Sequence, residues 1–280
     1  MPTLYLVGTP IGNLEDMTLR AIRILGEVSL IAAEDTRKTG RLLSHYDIDT
    51  PMLSYHDYSS PKRIATLIDR VKDGDVALVS DAGMPGLSDP GFRLVRAAIE
   101  AGIRIIPIPG PSAVITSLVA SGLPTDRFLY LGYLPRRKSA RRKAVEEVKN
   151  LVFTLVIYEA PHRLLDLLTD LRQVLGDRHV CIGRELTKYH EEIWRGSLSQ
   201  AEDYFGQNKI LGEFTLVVSG SDAKKDRWEE SRVRSTLRSK MDQGLSRKQA
   251  AAAITTESGW RKREIYDLDV DSEDEVATDR

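Results

Sequence analysis

The sequence predicts an α/β protein of two domains followed by a small helical module, and three observations predict it. Short apolar or β-branched runs alternate with amphipathic helical patterns through the first 132 residues, the signature of a parallel sheet with crossover helices. A second set of strands and helices follows over 133–220. There hairpin-like and crossover spacings mix, which predicts a mixed sheet. Beyond 220 the composition turns to charged helical segments with capping signals, and then to an acidic end.

The first-domain strands are expected at 4–7, 30–33, 76–80, 103–108 and 128–132. Ser60 before Pro61 and Asp89 before Pro90 each read as an N-cap residue followed by proline at the first helical position. Gly102 and Gly122 are placed to end helices 90–101 and 112–121 in left-handed caps. The stretch 133–138 reads as the link to the second domain. Its strands are expected at 153–158, 180–183, 193–196 and 214–220, with helices at 139–149, 161–175 and near 198–205. In the last module, Ser246 and Gln249 form a capping box that opens helix 247–256, and Gly259 separates it from helix 260–268. Short helices with a tight turn fit a helix-turn-helix unit or an appendage that braces packing or a dimer. The end, 269–280, is expected to be disordered.

Composition narrows the function classes. Of 280 residues, 41% are hydrophobic and 29% charged, enough apolar mass for packed cores, and no apolar run reaches the roughly 18–20 residues a bilayer requires. Cys181 is the only cysteine, and no secretory leader is recognisable, so a reducing cytoplasm and no membrane association are expected. The net charge of −1 hides segregation: 222–268 carry 12 Lys/Arg against 8 Asp/Glu, and 269–280 carry six acids against one base. The block 135–143 holds six bases and no acid. Its arginines Arg136, Arg137, Arg141 and Arg142 fit either a polyanionic partner or a solvated helix face.

Four loops after strands carry several glycines or prolines: 8–13 (GTPIGN), 80–91 (SDAGMPGLSDPG), 109–113 (PGPSA) and 158–163 (YEAPHR). Ligands of open parallel sheets bind beyond the carboxyl ends of strands, where three of these loops fall. No dinucleotide fingerprint follows the first strand, no phosphate-binding P-loop or nucleophile elbow is present, and the five histidines lack metal-ligand spacing. No metal is therefore expected. Spacing alone reaches a small-molecule-binding α/β enzyme of unassigned chemistry.

Six motifs in order, LYLVGTPIGNLEDMTLRA, AAEDTRKTGRLL, VALVSDAGMPGLSDPG, IPIPGPSA, YEAPHR and RELTKYHEE, resemble the ribosomal RNA small subunit methyltransferase I family. That family lies in the tetrapyrrole-methylase superfamily of class III methyltransferases, and the resemblance spans roughly residues 1–220. It implies two α/β domains with S-adenosylmethionine folded into the cleft between them, and commonly a homodimer. The implied activity is methyl transfer to the 2′-hydroxyl of a cytidine in the decoding region of 16S ribosomal RNA, within the small subunit. Carried onto this chain, the cofactor residues are Pro10, Ile11, Asp81, Ala82, Gly83, Met84, Ser112 and Ala113, with Tyr158, Leu186 and Thr215 from the second domain. A ribose hydroxyl needs a base or a strong field to attack a methyl group, so Glu34, Asp35, Arg37, Glu159 and Lys188 are the polar candidates for catalysis. Each of these also reads as an ordinary ion-paired residue. Tetrapyrrole methylases tend to open with a glycine-richer first loop, and GTPIGN points away from a corrin or porphyrin substrate. The rival functions are methylation of a tetrapyrrole or other small molecule, and RNA-binding ribosome assembly without turnover.

Overall fold

The computed structural model describes residues 2–221 and 228–268. The acidic end at 269–280, and 222–227 of the helical module, lie outside the described residues.

The first sheet contains β1 (Thr3–Val7), β2 (Leu30–Ala33), β3 (Met52–Ser54), β4 (Val76–Val79) and β5 (Arg104–Ile108), in the order β3-β2-β4-β1-β5. Every pairing is parallel, so the carboxyl ends of all five strands lie on one edge. The crossovers are α1 (Leu19–Glu27), α2 (Thr36–His45), α3 (Pro61–Asp73) and α4 (Phe92–Glu100). Two cores result. Ile24, Leu25, Ile31 and Val79 pack on one side, and Leu67, Val71, Leu78 and Leu94 on the other. Ser60 caps α3 ahead of Pro61, as its sequence predicts. Asp89 does not cap a helix. α4 starts two residues later than expected, after Gly91, where a Cβ would come within 2.9 Å of the Gly86 nitrogen.

The second sheet has β6 (Phe128–Tyr133), β7 (Thr154–Glu159), β8 (His179–Arg184), β9 (Glu192–Ser197) and β10 (Phe214–Val218), in the order β6-β7-β10-β8-β9. β6 and β7 run parallel and the other neighbours antiparallel, the mixed sheet that the spacing predicts. The seam falls earlier than 132. β6 is an edge strand of this second sheet, and α5 (Ala113–Ser121) packs through Val114 and Leu118 on Val156, Cys181 and Val217 of it. α5 is apolar around most of its circumference, so its periodicity does not say which sheet it covers. The chain therefore crosses between sheets at residues 109–112. The remaining helices here are α6 (Lys138–Val148), α7 (Leu164–Leu175) and α8 (Leu198–Gln207).

The carboxyl-terminal helices form a separate compact unit. α9 (Glu230–Asp242), α10 (Arg247–Ser258) and α11 (Lys262–Asp267) enclose Val233, Leu237, Ala250, Ala251, Ile254 and Ile265. The Ser246 N–H donates to Gln249 Oε1 at 3.0 Å, one half of the predicted capping box, and Gly259 ends α10 at φ +70°. Among the described residues no helix is long and apolar enough to cross a membrane.

Candidate functional site

Three of the loops predicted from glycine and proline content meet at the carboxyl edge of the first sheet. Thr9 and Gly83 exchange backbone hydrogen bonds of 2.9 and 3.0 Å, joining the loop after β1 to the loop after β4. Gly8 and Gly110 face each other so closely that a Cβ on either would lie 2.8 Å from the other's Cα. No side chain fits there, which explains glycine at both positions. Gly12 is pressed equally tightly against Leu186 and Thr187, so the first loop also seats the loop after β8.

These contacts enclose a cavity of about 300 Å³. Ile11, Asp81, Ala82, Gly83, Met84, Ser112 and Ala113 line it from one side, and Tyr158 and Thr215 from the second sheet. Leu186 borders a small recess of about 40 Å³ shared with Ile11, Ala113 and Thr215. Pro10 lies in a neighbouring cavity of about 210 Å³, beside Lys38 and Arg41. Three non-glycine residues in these loops hold left-handed backbones: Ser88 (φ 62°), Glu185 (φ 49°) and Thr187 (φ 64°). For a β-branched threonine that conformation costs of order 1–3 kcal/mol, and such strain clusters at functional sites.

Carboxylates dominate the charged lining. Glu34 stands at the end of β2 and accepts the Asp81 N–H at 3.2 Å. Burial raises its pKa, the Asp81 N–H opposes this, and the Asp81 charge adds to the rise. Asp81 in turn accepts the Asp35 N–H at 3.0 Å and the Lys38 ammonium at 2.7 Å. Asp89 is pushed up to about 7 by burial and by the Glu34 charge, partly offset by the Ser80 hydroxyl. Tyr158 and Tyr130 meet edge to face, with centroids 5.2 Å apart, and burial pushes the Tyr158 hydroxyl up as well.

Of the five polar candidates, only Glu34 lines the cavity. Asp35 caps α2 and is held well below the usual carboxylate range by the Arg37 guanidinium, 2.8 Å away, and by the Arg37 N–H. Arg37 is 86% exposed and spends its charge on that pair. Glu159 is buried at the end of β7, where it accepts the Ala160 N–H and pairs with Arg163 at 3.3 Å, fixing the turn into α7. Lys188 bridges Glu185 and Glu213 at 2.9 and 2.8 Å. Burial alone would depress its pKa, but those two carboxylates hold it up. Glu213 does line the cavity.

The basic block splits in two. Arg136 and Arg137 are exposed, but the Arg141 side chain is 3% exposed and pairs with Asp170, 1% exposed, at 2.7 Å. Arg142 closes on the other Asp170 oxygen at 2.6 Å. Arg141 is thus a structural cation between α6 and α7, not a surface contact for a polyanion, and Arg142 shares its anchor.

Lys38, Asp89, Tyr133 and Glu213 are lining residues that the sequence does not single out for the site. Asp89 looked like a helix cap, and Glu213 stands before a strand with no motif around it. Lys38 lies one residue past the EDTR run, in the first turn of α2, so its nearness to that run is the available signal. Among the described residues no group of three or more His, Cys, Asp or Glu side chains is placed to hold a metal ion.

Two five-stranded sheets that both contribute to a loop-lined cavity are the architecture of a tetrapyrrole-methylase fold. A family model described as Tetrapyrrole (Corrin/Porphyrin) Methylases matches residues 3–202. Solved structures agree at the level of fold. Diphthine synthase superposes with a TM-score of 0.61 at 13% identity, covering 78% of this chain and 90% of that one. Uroporphyrin-III C-methyltransferase from Thermus thermophilus, complexed with S-adenyl homocysteine, superposes at 0.55 and 19%, covering 78% and 97%. Sequence relatives are more particular. The ribosomal RNA small subunit methyltransferase I of Halalkalibacterium halodurans is 49% identical over 95% of this chain and 94% of its own. That of Synechocystis is 48% identical over 98% and 99%, and that of Escherichia coli O157:H7 is 43% identical over 94% and 93%. The chain belongs to the ribosomal RNA small subunit methyltransferase I family.

Proposed function

We propose that this protein transfers the methyl group of S-adenosylmethionine to the 2′-hydroxyl of a cytidine in the decoding region of 16S ribosomal RNA. It does so in the cytoplasm as a homodimer acting on the small ribosomal subunit. The observation that carries the reading is the cavity itself. Motif loops that span most of the chain's first 220 residues converge on it, and its charged lining is mainly carboxylate, with Lys38 the one cation among the described residues that line it.

The residues present fit this cofactor. A cavity of about 300 Å³ lies at the lower end of the small-molecule range. Gly83, with φ +79°, lets backbone polar groups approach a nucleoside closely. Thr215 and Ser112 offer hydroxyls, and Ile11, Met84 and Tyr158 offer apolar and aromatic surface. Bound there, S-adenosylmethionine supplies an electrophilic methyl group on a positively charged sulfur. Glu34, Asp81, Asp89 and Glu213 give the walls the opposite charge, and Lys38 and Lys188 each hold one of these carboxylates in place. With donor and acceptor held in contact, positioning supplies a large part of the rate, since effective molarities reach about 10⁵ M.

Arg136 and Arg137, together with exposed cations of the helical unit such as Arg263, 94% exposed, suit the phosphates of an RNA partner. The test uses labelled S-adenosylmethionine with small subunits from cells lacking the gene. Label is expected in 16S RNA, at a single ribose that resists alkaline cleavage on its 3′ side. Naked 16S RNA in a parallel reaction separates the two forms of substrate. Bound subunits without label would favour the assembly-factor reading, and label entering a tetrapyrrole instead of RNA would favour the small-molecule one.

A further inference from the structure

Four carboxylates line the cavity, and three already have structural partners. Glu34 accepts the Asp81 N–H. Asp81 is taken by Lys38 and the Asp35 N–H. Glu213 pairs with Lys188. Asp89 lines the same cavity, and among the described residues no cation stands within ion-pairing distance of it; the Ser80 hydroxyl nearby is directed at the Ala82 and Gly83 carbonyls. Its position is nonetheless tightly set. Ser88 before it has a left-handed backbone and shares a 2.6 Å hydroxyl–hydroxyl hydrogen bond with Tyr130, and Gly91 after it is packed against Gly86. A half-buried, uncompensated carboxylate on a rigid loop costs stability, and such groups persist where they have work to do.

We infer that Asp89 is the proton acceptor for the attacking hydroxyl, a catalytic residue that neither the family resemblance nor the motif spacing assigns. The inference rests on the methyl-transfer reading above. As the bond from O2′ to the methyl carbon forms, the carbon–sulfur bond breaks and its electron pair stays on sulfur, which becomes neutral. The O2′ proton passes to an Asp89 carboxylate oxygen, leaving a neutral ether and a carboxylic acid. That acid then returns its proton to solvent. Charge balances, because one cation and one carboxylate become two neutral groups.

The surroundings suit a base that works near neutrality. Glu34 from the end of β2, Asp57 from the loop after β3 and Asp81 from the loop after β4 all oppose a negative charge on Asp89. Tyr130 on β6 and Tyr158 on β7 lie close enough for the Asp89 charge to raise their own pKa values. Lys38, the nearest cation on the lining, is engaged by Asp81. Burial first, and then the Glu34, Asp81 and Asp57 charges, push Asp89 up to about 7, where a general base is most effective.

The decisive comparison is single-turnover methylation of small subunits by wild type, Asp89→Asn and Asp89→Glu, alongside carbon-13 carboxyl titration of the cofactor-free proteins. Wild type should show a rate rising with pH to a break near the Asp89 midpoint. Asp89→Asn should lose roughly 10²–10⁴-fold in rate and lose the break. Circular dichroism and a cooperative urea transition at or above the wild-type midpoint should show that this variant is folded, and its S-adenosylmethionine affinity, measured by calorimetry, separates any loss of binding from loss of the chemical step. Asp89→Glu should recover part of the rate. The titration should show one carboxyl far above the ordinary aspartate midpoint of about 3.9, absent from Asp89→Asn. An active wild type with an equally active Asp89→Asn overturns the assignment alone, as does an Asp89 midpoint in the ordinary range. A wild type that labels no RNA overturns the methyl-transfer reading and this inference with it.

Discussion

Asp89 and Asp170 are both carboxylates drawn away from water, and the fold completes one and leaves the other incomplete. Asp170 meets Arg141 at 2.7 Å and Arg142 at 2.6 Å, so both of its oxygens face guanidinium groups. Asp89 faces other carboxylates and one hydroxyl. The first arrangement stabilises the junction of α6 and α7. The second works against stability and leaves the carboxylate reactive. Arginine and aspartate in a sequence do not announce which of these they will be. The partner across space decides it.

The largest effect expected of this contrast is on the completed pair. Arg141→Ala leaves Asp170 buried with only Arg142, and breaking a buried pair in this way costs about 3–5 kcal/mol. The remaining partner should put this case at the lower end. Urea denaturation measures it, and Arg141→Met with Asp170→Leu should lose much less because no buried charge is stranded: Arg142 is partly exposed and keeps its hydrogen bond to Gln173. A loss below about 1 kcal/mol in Arg141→Ala would mean that the pair is no more than a surface contact.

Next in size is the clamp that shapes the cavity. Gly110→Ala puts a methyl group 2.8 Å from the Gly8 Cα, against Gly8 backbone atoms alone, with no flexible side chain to yield. Overpacking of this kind costs about 1–3 kcal/mol. Because both glycines sit in cavity loops, cofactor affinity should fall as well. A variant with wild-type melting and wild-type affinity would show that the two loops can separate freely.

The incomplete carboxylate should appear in the pH dependence of stability. Asp89 titrates at about 7 in the folded protein and near 3.9 when unfolded, so between those values the native state holds more protons. Its contribution is therefore fully present below about pH 4 and is lost as pH rises through about 7. Glu34 shifts in the same direction and adds to the slope. Melting temperature should accordingly fall less steeply from pH 5 to pH 7.5 in Asp89→Asn than in wild type. Identical slopes would indicate that Asp89 is better solvated than its surroundings imply.

Much of this architecture was legible in the chain. Strand-length apolar runs, Ser60 before Pro61, the Ser246–Gln249 capping pair and the glycine-rich loops each act through local chemistry, and local chemistry is written in adjacent residues. What escaped depended on distant partners. β3 has three residues and too little pattern to register. α5 and β6 are recognisable as helix and strand, but nothing within them states that they belong to the second sheet. Asp89 beside Pro90 looks like a cap, but the helix starts after Gly91, which packs closely against Gly86, five residues earlier. Six bases in 135–143 read as one block because Asp170 lies 29 residues beyond Arg141.

The smallest effect sharpens that last point. Arg136 and Arg137 are exposed and have no acidic partner among the described residues, so replacing both with Ser should leave urea unfolding within about 0.5 kcal/mol of wild type. If they touch RNA phosphates, each lost contact should reduce the log–log salt slope of RNA binding by about 0.9 on duplex or 0.7 on single strands. Cofactor affinity should not move, because neither residue lines the cavity. Arg141→Ala should do the reverse, lowering stability first and changing RNA binding only through the population that remains folded. A double variant with an unchanged salt slope would return Arg136 and Arg137 to an ordinary solvated surface. The RNA contacts would then have to lie elsewhere, with the exposed Arg261, Lys262 and Arg263 at the start of α11 next in line.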